Sequence, residues 1–321
     1  MKAAVIFRKG EMPQYTDFPE PVVNENQLLI TVKAAALKNL DKGMAKGTHY
    51  SVETINQNAK VIGGDGVGLL EDGTRIYALG EGMMAEKAII DPRKMVKIPD
   101  GLDNVTAAAI PNAVAGSAMA LRFRADIQLG ETVLINGATG VTGKMAIQIA
   151  KHYGAKKVIV TGRSEASLKA LSTLGTDETV LTTQNDEAFI NQVKAIHQNT
   201  PIDIIIDYLW GPTAELLMNA LKGNGSYQHK TRFVSVGSVA GDKIQLSAEN
   251  LRSVDLQLSG SGLGSWTRDE MRILFSEILP EMFQLAADHK LKIDTVEIPL
   301  QDIEKIWEME SLGGKRIVIK I

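Results

Sequence analysis

The stretch TVLINGATGVTGK, residues 132–144, decides the fold of this chain. An apolar, β-branched run ends at Asn136, glycines follow at 137, 140 and 143, and an apolar-periodic helix begins beyond them. Such a loop lets backbone N–H groups approach a pyrophosphate at the positive end of a helix. We therefore predict a dinucleotide site; the alternative is a βα turn that binds no phosphate. The predicted contacts are Gly137, Thr139, Gly140, Val141, Thr142 and Gly143.

The end of the next strand indicates which dinucleotide binds. The run 157–161 is β-branched and ends at Gly162, Arg163 and Ser164, with no carboxylate before Glu165. NAD-binding units place an acid there for the ribose 2′-hydroxyl, and an acid would repel a 2′-phosphate. Arg163 can pair with that phosphate and Ser164 can donate a hydrogen bond to it. The sequence thus favours NADPH; the alternative is a solvated loop arginine.

Composition limits the function classes. The chain has 321 residues, 44% hydrophobic and 23% charged, with a net charge of −3, which gives no basic field for nucleic acid or an anionic membrane. No apolar run approaches the roughly 20 residues that span a bilayer, and the N-terminus does not resemble a signal peptide, so we expect a cytoplasmic protein. There is no cysteine, and the five histidines have no metal-ligand spacing, so we expect no metal.

The N-terminal third is predicted to be a small, partly open β-barrel. Residues 1–112 contain short β-like runs such as Gln27–Ala34, separated by glycine and proline. We expect Pro92 to lie in one of the loops between them.

The remaining sequence predicts an α/β fold and a return to the barrel. Strands alternate with helices over residues 113–265, which is typical of a doubly wound parallel sheet. Residues 266–321 comprise a long helix near Thr267–His289 and final strands at Thr295–Pro299 and Arg316–Ile321. We expect these strands to rejoin the barrel.

Several stretches carry a family resemblance across nearly the whole chain. They are 36–41, 63–68, 109–111, the run ahead of the glycine loop, 203–211, 236–238 and 315–319. In these the chain resembles a zinc-independent medium-chain dehydrogenase/reductase of the quinone oxidoreductase subgroup. The resemblance implies a GroES-like catalytic domain, a Rossmann domain and an NADPH-dependent reductase. The zinc branch has a cysteine near 38–41 and a His-Glu pair near 64–65, where this chain has Lys38, Asn39 and Gly64-Asp65.

A zinc-free reaction needs donors for the developing oxyanion. We predict hydride transfer from NADPH to a quinone or an α,β-unsaturated carbonyl, whose charge delocalises, with catalytic roles for Lys38, Asn39, Asp41 and Tyr50. Lys38, Asn39 and Tyr50 are the candidate donors, whereas Asp41 is expected to accept structural hydrogen bonds. The alternatives are a solvated Lys38, a turn-forming Asn39 and a Tyr50 that only lines a loop. Asp65 is expected to order a turn, with a catalytic role as the alternative.

Further cofactor contacts follow from the rule that ligands bind outside the carboxyl ends of parallel strands. The residues at those ends are Gly162, Arg163, Ser164, Asp207, Tyr208, Trp210, Gly237, Ser238, Leu263 and Gly264. Tyr208 and Trp210 have the alternative of being core aromatics.

Two other functions and one assembly are consistent with this sequence. The alternatives are a zinc-free alcohol or aldehyde reductase and a non-catalytic NADPH-binding protein. We also expect a homodimer, because the strand Leu256–Gly260 has an edge that a second copy can cover.

Overall fold

A computed structural model describes residues 1–47, 59–223, 229–309 and 313–321. The chain divides into two compact units. Unit 1 comprises Met1–Pro111 and Arg272–Ile321, and unit 2 comprises Asn112–Met271. None of the helices in these described ranges is long and apolar enough to cross a bilayer.

The strands are β1 (Lys2–Ile6), β2 (Gln14–Asp17), β3 (Leu28–Leu37), β4 (Lys60–Val61), β5 (Asp65–Leu69), β6 (Arg75–Glu81), β7 (Lys87–Lys97), β8 (Thr132–Asn136), β9 (Lys157–Gly162), β10 (Glu178–Leu181), β11 (Ile204–Asp207), β12 (Thr231–Ser235), β13 (Leu256–Gly260), β14 (Thr295–Pro299) and β15 (Arg316–Lys320). The α-helices are α1 (Asn39–Lys46), α2 (Asn104–Met119), α3 (Val141–His152), α4 (Glu165–Ala170), α5 (Asp186–Asn199), α6 (Gly211–Ala220), α7 (Ala248–Ser253), α8 (Arg268–Ile273), α9 (Leu279–Ala287) and α10 (Ile303–Ile306). π-Helical turns follow α2 at Ala120–Arg124 and α8 at Leu274–Ile278, and short 3₁₀ turns lie at Leu171–Leu174, Leu263–Ser265 and Leu300–Asp302.

Unit 1 is built on a curled sheet. Its strand order is β14-β15-β3-β5-β6-β7, and β3 also pairs with β7, so four of the strands close on themselves. This confirms the predicted partly open barrel. The pairing of β15 antiparallel to β3 confirms that the C-terminal strands rejoin it. Alternate residues of these strands, such as Ile30, Val32 and Ile76, face an apolar core.

The expectation that Pro92 lies in a loop is wrong, because it lies inside β7. Proline lacks the N–H of a sheet ladder and is tolerated where the pairing is interrupted. Here the register of β7 against β6 shifts between Ala78 and Gly80, and the paired residues of β7 jump from Ile90 to Met95. Pro92 therefore occupies an irregular stretch of one long strand.

Unit 2 contains a parallel sheet with the order β10-β9-β8-β11-β12-β13. The doubly wound α/β arrangement predicted from the sequence is confirmed. All five residues of β8 and all four of β11 are buried, as continuous apolar strands covered on both faces require. Because the strands are parallel, their carboxyl ends share one edge, where Asn136 and Asp207 lie in register.

Candidate functional site

The glycine loop connects β8 to α3 as the sequence predicted. Gly137 has φ +85°, a left-handed conformation that favours glycine. Gly140 precedes the first residue of α3, and no side chain caps this helix end. The first N–H groups of a helix have no intrahelical partner and carry the positive end of its dipole. The loop therefore presents backbone donors to an anion.

Two glycines of this loop have different surroundings. A Cβ at Gly143 would lie 2.5 Å from the Cα of Ala138, so glycine there permits the close packing of helix and loop. At Gly140, the nearest protein atom to such a Cβ is the Gly137 oxygen at 3.9 Å, and φ is an ordinary −77°. Protein packing thus does not demand glycine at 140. An open space beside the helix N-terminus fits the pyrophosphate of a dinucleotide.

The other predicted loop residues line the first turn of α3. Thr139 contacts the β9 end, since a Cβ at Gly162 would lie 2.9 Å from its methyl carbon. Val141 and Thr142 are half-buried, and the Thr142 carbonyl accepts a hydrogen bond from the Ser117 hydroxyl at 3.1 Å. Ser117, on α2, therefore fixes the backbone of this turn.

The residues after β9 form an exposed polar loop. Arg163 is exposed, and its guanidinium makes no hydrogen bond or ion pair within the described part of the chain. Ser164 caps α4, accepting a hydrogen bond from the Ser167 N–H at 3.3 Å, which leaves its own hydroxyl proton to donate. The Thr183 hydroxyl lies 3.5 Å from the Arg163 carbonyl. This arrangement offers a cation and hydroxyl donors to an anion.

Three predicted contacts after β11 are engaged by the protein itself. Asp207 is fully buried, and its carboxylate accepts hydrogen bonds from the N–H groups of Leu209 at 3.0 Å and Trp210 at 3.1 Å. Burial raises the pKa of Asp207, although these hydrogen bonds oppose the shift. Trp210 has φ +56° and packs edge-on against Phe233 at 6.2 Å. The turn after β11 is thus held from inside.

Tyr208 is likewise buried, which matches its alternative as a core aromatic. Its hydroxyl donates to the Gly116 carbonyl at 3.1 Å and lies 3.1 Å from the Ser117 hydroxyl. Burial raises the pKa of Tyr208 well above its usual value. Its hydroxyl therefore links α2 to the end of β11 instead of facing outward.

The last predicted cofactor contacts lie after β12 and β13. Gly237 is half-buried, and a Cβ there would lie 2.7 Å from the backbone carbonyl oxygen of Tyr208. Ser238, Leu263 and Gly264 are exposed. The 3₁₀ turn containing Leu263 and Gly264 is closed by Ser265, whose hydroxyl accepts from the Gly262 N–H at 3.0 Å.

The catalytic candidates of unit 1 occupy the start of α1. Lys38 precedes the helix, is only 3% exposed and donates to Asp65 from its ammonium, which also lies 3.4 Å from Asp41. The alternative of a solvated Lys38 is therefore wrong, and so is the expectation that Asp65 orders a turn: it is buried in β5. Asn39 is exposed. Tyr50 lies outside the described residues.

Two further residues complete what we call the ammonium cluster: Lys38, Asp41, Asp65, Tyr77 and Arg316. The Tyr77 hydroxyl donates to Asp65 at 2.8 Å, and Arg316 is buried on β15. Burial lowers the pKa of Lys38, but the carboxylates of Asp41 and Asp65 outweigh it and the net shift is upward. Burial raises the pKa of Asp41 against the influence of Lys38, and it lowers the pKa of Arg316. The cluster contains two cations and two acids.

Asp41 accepts hydrogen bonds from the backbone around it. Its carboxylate accepts from the Lys38 N–H at 2.9 Å and from the Gly64 N–H at 3.3 Å. It thereby closes the first turn of α1 and joins it to the start of β5. The sequence analysis did not single out Tyr77 or Arg316 as site residues, because both are distant from Lys38 along the chain.

Comparison with known proteins places this geometry in context. A family model described as zinc-binding dehydrogenase matches residues 141–280. A probable NADPH-dependent quinone reductase of Emericella nidulans is 26% identical over 354 residues, covering 96% of each chain. The quinone oxidoreductase of Sus scrofa is 27% identical over 286 residues, covering 85% of this chain and 84% of that protein.

Longer proteins and solved structures match as well. A polyketide synthase of Streptomyces halstedii is 28% identical over 84% of this chain, which spans only 4% of that protein. The native structure of a mycobacterial quinone oxidoreductase superposes with a TM-score of 0.85 at 20% identity, covering all of both chains.

The barrel-like sheet of unit 1 and the parallel sheet of unit 2 give this chain the fold of that solved structure. The chain is an oxidoreductase that resembles the quinone oxidoreductases among the medium-chain dehydrogenases/reductases.

The zinc in the family description does not fit the side chains of the described residues. The sequence has no cysteine. In the ranges that the structure describes, no three His, Asp or Glu side chains are grouped to hold a metal. The carboxylates of Asp41 and Asp65 contact an ammonium, and position 64 is a glycine without a side-chain donor.

Proposed function

We propose that the chain is an NADPH-dependent reductase of quinones or α,β-unsaturated carbonyls that works without zinc. The observation that carries the proposal is the open space at Gly140, beside an uncapped helix N-terminus, where packing leaves room for a pyrophosphate. The related reductase of Emericella nidulans, which is named for NADPH, supports the choice of cofactor. When bound, NADPH would supply a hydride.

Arg163 and Ser164 would hold the 2′-phosphate. Arg163 is exposed and no carboxylate engages it within the described residues, so its guanidinium is available for a bidentate contact with phosphate. Ser164 retains its hydroxyl proton as a second donor. Gly237, Ser238, Leu263 and Gly264 are proposed to contact other parts of the cofactor. Asp207, Tyr208 and Trp210 would act by shaping the turn beside it.

In unit 1, Asn39 is the stronger candidate for contacting the substrate oxygen. Lys38 is buried and its ammonium is held by two carboxylates, whereas the adjacent Asn39 is exposed and has an amide donor. Lys38 and Asp41 would then act by fixing the first turn of α1. A quinone or enone suits one neutral donor, because its developing charge is delocalised and needs less stabilisation than that of a simple aldehyde.

Turnover of a substrate panel tests this function. NADPH oxidation would be followed by absorbance with quinones, enones and saturated aldehydes at equal concentration, each with and without a metal chelator. We expect turnover of quinones or enones, weaker turnover of aldehydes and no effect of the chelator. Preferred aldehyde turnover would support the alcohol or aldehyde reductase, and NADPH binding without turnover of any compound would support a non-catalytic protein.

We also propose a homodimer formed through unit 2. β13 is the terminal strand of the described six-stranded sheet, and Leu258 on it is partly exposed. Pairing two such edges across a twofold axis removes an unpaired ladder. Light scattering at micromolar protein should give twice the chain mass of 34.8 kDa. A single-chain mass would contradict this assembly.

A further inference from the structure

Three buried polar side chains lie at the last or next-to-last residue of three neighbouring strands of unit 2, and we call them the strand-end network: Asn136, Thr161 and Asp207. β8, which ends at Asn136, lies between β9 and β11 in the sheet. All three residues are fully buried. Polar side chains in such a position are costly unless each finds its partners. Their hydrogen bonds therefore indicate what the network holds in place.

The direction of every hydrogen bond in the network is determined. The Asp207 carboxylate accepts from the Asn136 amide nitrogen at 2.8 Å, and it also accepts from the Leu209 and Trp210 N–H groups. The Asn136 amide oxygen then accepts from the Thr161 hydroxyl at 2.6 Å. The same hydroxyl accepts from the Gly137 N–H at 3.0 Å. Because a carboxylate only accepts, the amide has one orientation.

The network joins the loops that follow β8 and β11. Its first end is the Gly137 peptide, where the glycine loop begins, and the Thr161 carbonyl also accepts from the Ala138 N–H at 3.1 Å. Its other end is the turn at Leu209 and Trp210, where a non-glycine residue has φ +56°. Thr161 itself is two residues before Arg163.

We infer that Asn136 and Thr161 are positioning residues, which set the glycine loop for a dinucleotide pyrophosphate by orienting the Gly137 peptide. The inference rests on the proposed function, because it needs a dinucleotide in that loop. Neither residue reaches the cofactor: both are buried beneath the loop, and their polar atoms are occupied by each other, by Gly137 and by Asp207. A change in either residue should alter cofactor affinity without altering the chemical step.

Thr161→Val tests the inference, because valine keeps the shape and removes the hydroxyl. The Gly137 N–H then loses its acceptor and the Asn136 oxygen loses its donor. We expect the dissociation constants of NADPH and NADH to rise together by about tenfold, as for loss of one well-placed hydrogen-bonded group. The KM for NADPH should rise while kcat is nearly unchanged. Thr161→Ser keeps the hydroxyl and should restore wild-type affinity.

Thr132→Val is the matched control. Thr132 is also fully buried, on β8 but at its opposite end, and its hydroxyl has no hydrogen-bond partner within the described residues. This variant should bind both nucleotides like wild type. Thermal unfolding without nucleotide would show that each variant is folded. Asn136→Leu, which cuts the network at its centre, replaces Thr161→Val if that variant does not fold.

The outcomes separate this inference from the proposed function. Wild-type affinity in folded Thr161→Val and Asn136→Leu, or equal losses in Thr132→Val, would overturn the positioning role and leave the proposed function standing. A lower unfolding temperature with unchanged affinity would also overturn it, since the network would then serve stability alone. Failure of the wild type to bind either nucleotide would overturn both.

Discussion

In the ammonium cluster of unit 1 the Lys38 ammonium is satisfied by side chains, although Asp41 also holds backbone N–H groups, whereas the strand-end network of unit 2 holds the backbone of adjacent loops from two of its three side chains. Lys38 faces two carboxylates, and Tyr77 completes the coordination of Asp65. Thr161 and Asp207 accept instead from the N–H groups of Gly137, Leu209 and Trp210. Both groups are buried, and the second lies at the start of the glycine loop, where Gly140 has open space beside the N-terminus of α3.

The difference shows that a buried charged residue near a proposed site is a poor candidate for contacting the substrate. An ammonium that has left water is stabilised only by partners that also enclose it. The residues able to meet a ligand are their exposed neighbours, Asn39 in unit 1 and the loop glycine Gly140 in unit 2. The buried groups determine where those neighbours stand.

The largest expected effect is that of Lys38→Met on stability. The variant leaves the buried Asp41 and Asp65 without the ammonium between them, and breaking a buried pair on one side costs about 3–5 kcal/mol. Burial already raises the pKa of Asp41, and Lys38 opposes that rise, so the pKa should climb further in the variant. Chemical denaturation at several pH values would measure both effects.

The pH dependence of this variant has a defined sign. An acid whose pKa is higher in the folded than in the unfolded state binds its proton more tightly when folded. Stability should therefore fall as pH rises from about 4 through the raised pKa of Asp41. Lys38→Met/Asp65→Asn removes one charge of each sign and should recover part of the loss. A loss below about 1 kcal/mol without pH dependence would show that the cluster is not a coupled charge group.

Asn39→Ala tests the exposed neighbour of that cluster. If its amide stabilises the substrate oxyanion, kcat should fall by about 100-fold, as for removal of an oxyanion donor, with unchanged NADPH affinity and stability. Steady-state kinetics and a nucleotide titration measure the two quantities. Lys42→Ala, on the same helix, is the control for general effects on α1. Wild-type turnover in Asn39→Ala would remove Asn39 from the site.

Much of the fold was predictable because its signals are local. The glycine loop, the strand before it and the helix after it are encoded within residues 132–152. Alternation of strands and helices then implies a parallel sheet whose carboxyl ends share one edge. The barrel was predictable from short strands and turns, but Pro92 was placed wrongly because tolerance of a proline depends on pairing with β6.

The side-chain partners were not predictable, because the residues that meet are far apart along the chain. Lys38 finds Asp65 at a separation of 27 residues, and Asp207 finds Asn136 at 71, through strand pairing alone. Tyr208 and Trp210 follow a strand end, a position that suggests ligand contact, yet packing against α2 and β12 buries Tyr208 and engages the Trp210 ring. A motif locates a loop, but only the fold decides which side chains face outward.

Gly140→Ser should separate binding from stability in unit 2. The φ of −77° suits any residue, the space is open, and serine is a favourable residue before a helix, so stability should be unchanged or slightly higher. The side chain enters the proposed pyrophosphate position, so NADPH affinity should fall at least about tenfold, or 1.4 kcal/mol. Gly143→Ala is the comparison, since its Cβ meets the Ala138 backbone and should destabilise the fold. Unaltered affinity in Gly140→Ser would place the pyrophosphate elsewhere.

A smaller loss of stability is expected when an ion pair is broken that is less buried than the ammonium cluster or the strand-end network. The two terminal guanidinium nitrogens of Arg124 donate to the Glu270 carboxylate at 2.7 and 3.0 Å, and Arg124 also donates to the Ser265 carbonyl. The hydrogen bond from Arg124 lowers the pKa of Glu270 to about 2. An acid with a lowered folded pKa contributes stability above about pH 4.3, which is lost as pH falls toward 2.

Glu270→Gln should therefore destabilise the protein by about 1 kcal/mol at pH 7, an amount reduced by the partial exposure of the pair. The difference from wild type should shrink below about pH 4.3. Glu249→Gln, which breaks the exposed pair with Lys222, is the control and should have a negligible effect. Denaturation curves of the three proteins at pH 7 and pH 3 measure this. An equal loss in both variants would show that burial does not distinguish the pairs.

The most direct test of the central claim is a fluorescence titration of wild type, Arg163→Ala and Lys169→Ala with NADPH and NADH. Lys169 is an exposed cation on α4 and controls for general electrostatic attraction. We predict that the wild type binds NADPH at least about tenfold more tightly than NADH, a difference of about 1.4 kcal/mol. Arg163→Ala should abolish that preference and leave NADH affinity unchanged, whereas Lys169→Ala should keep it. Binding of neither nucleotide, or a preference that survives in Arg163→Ala, would contradict the account.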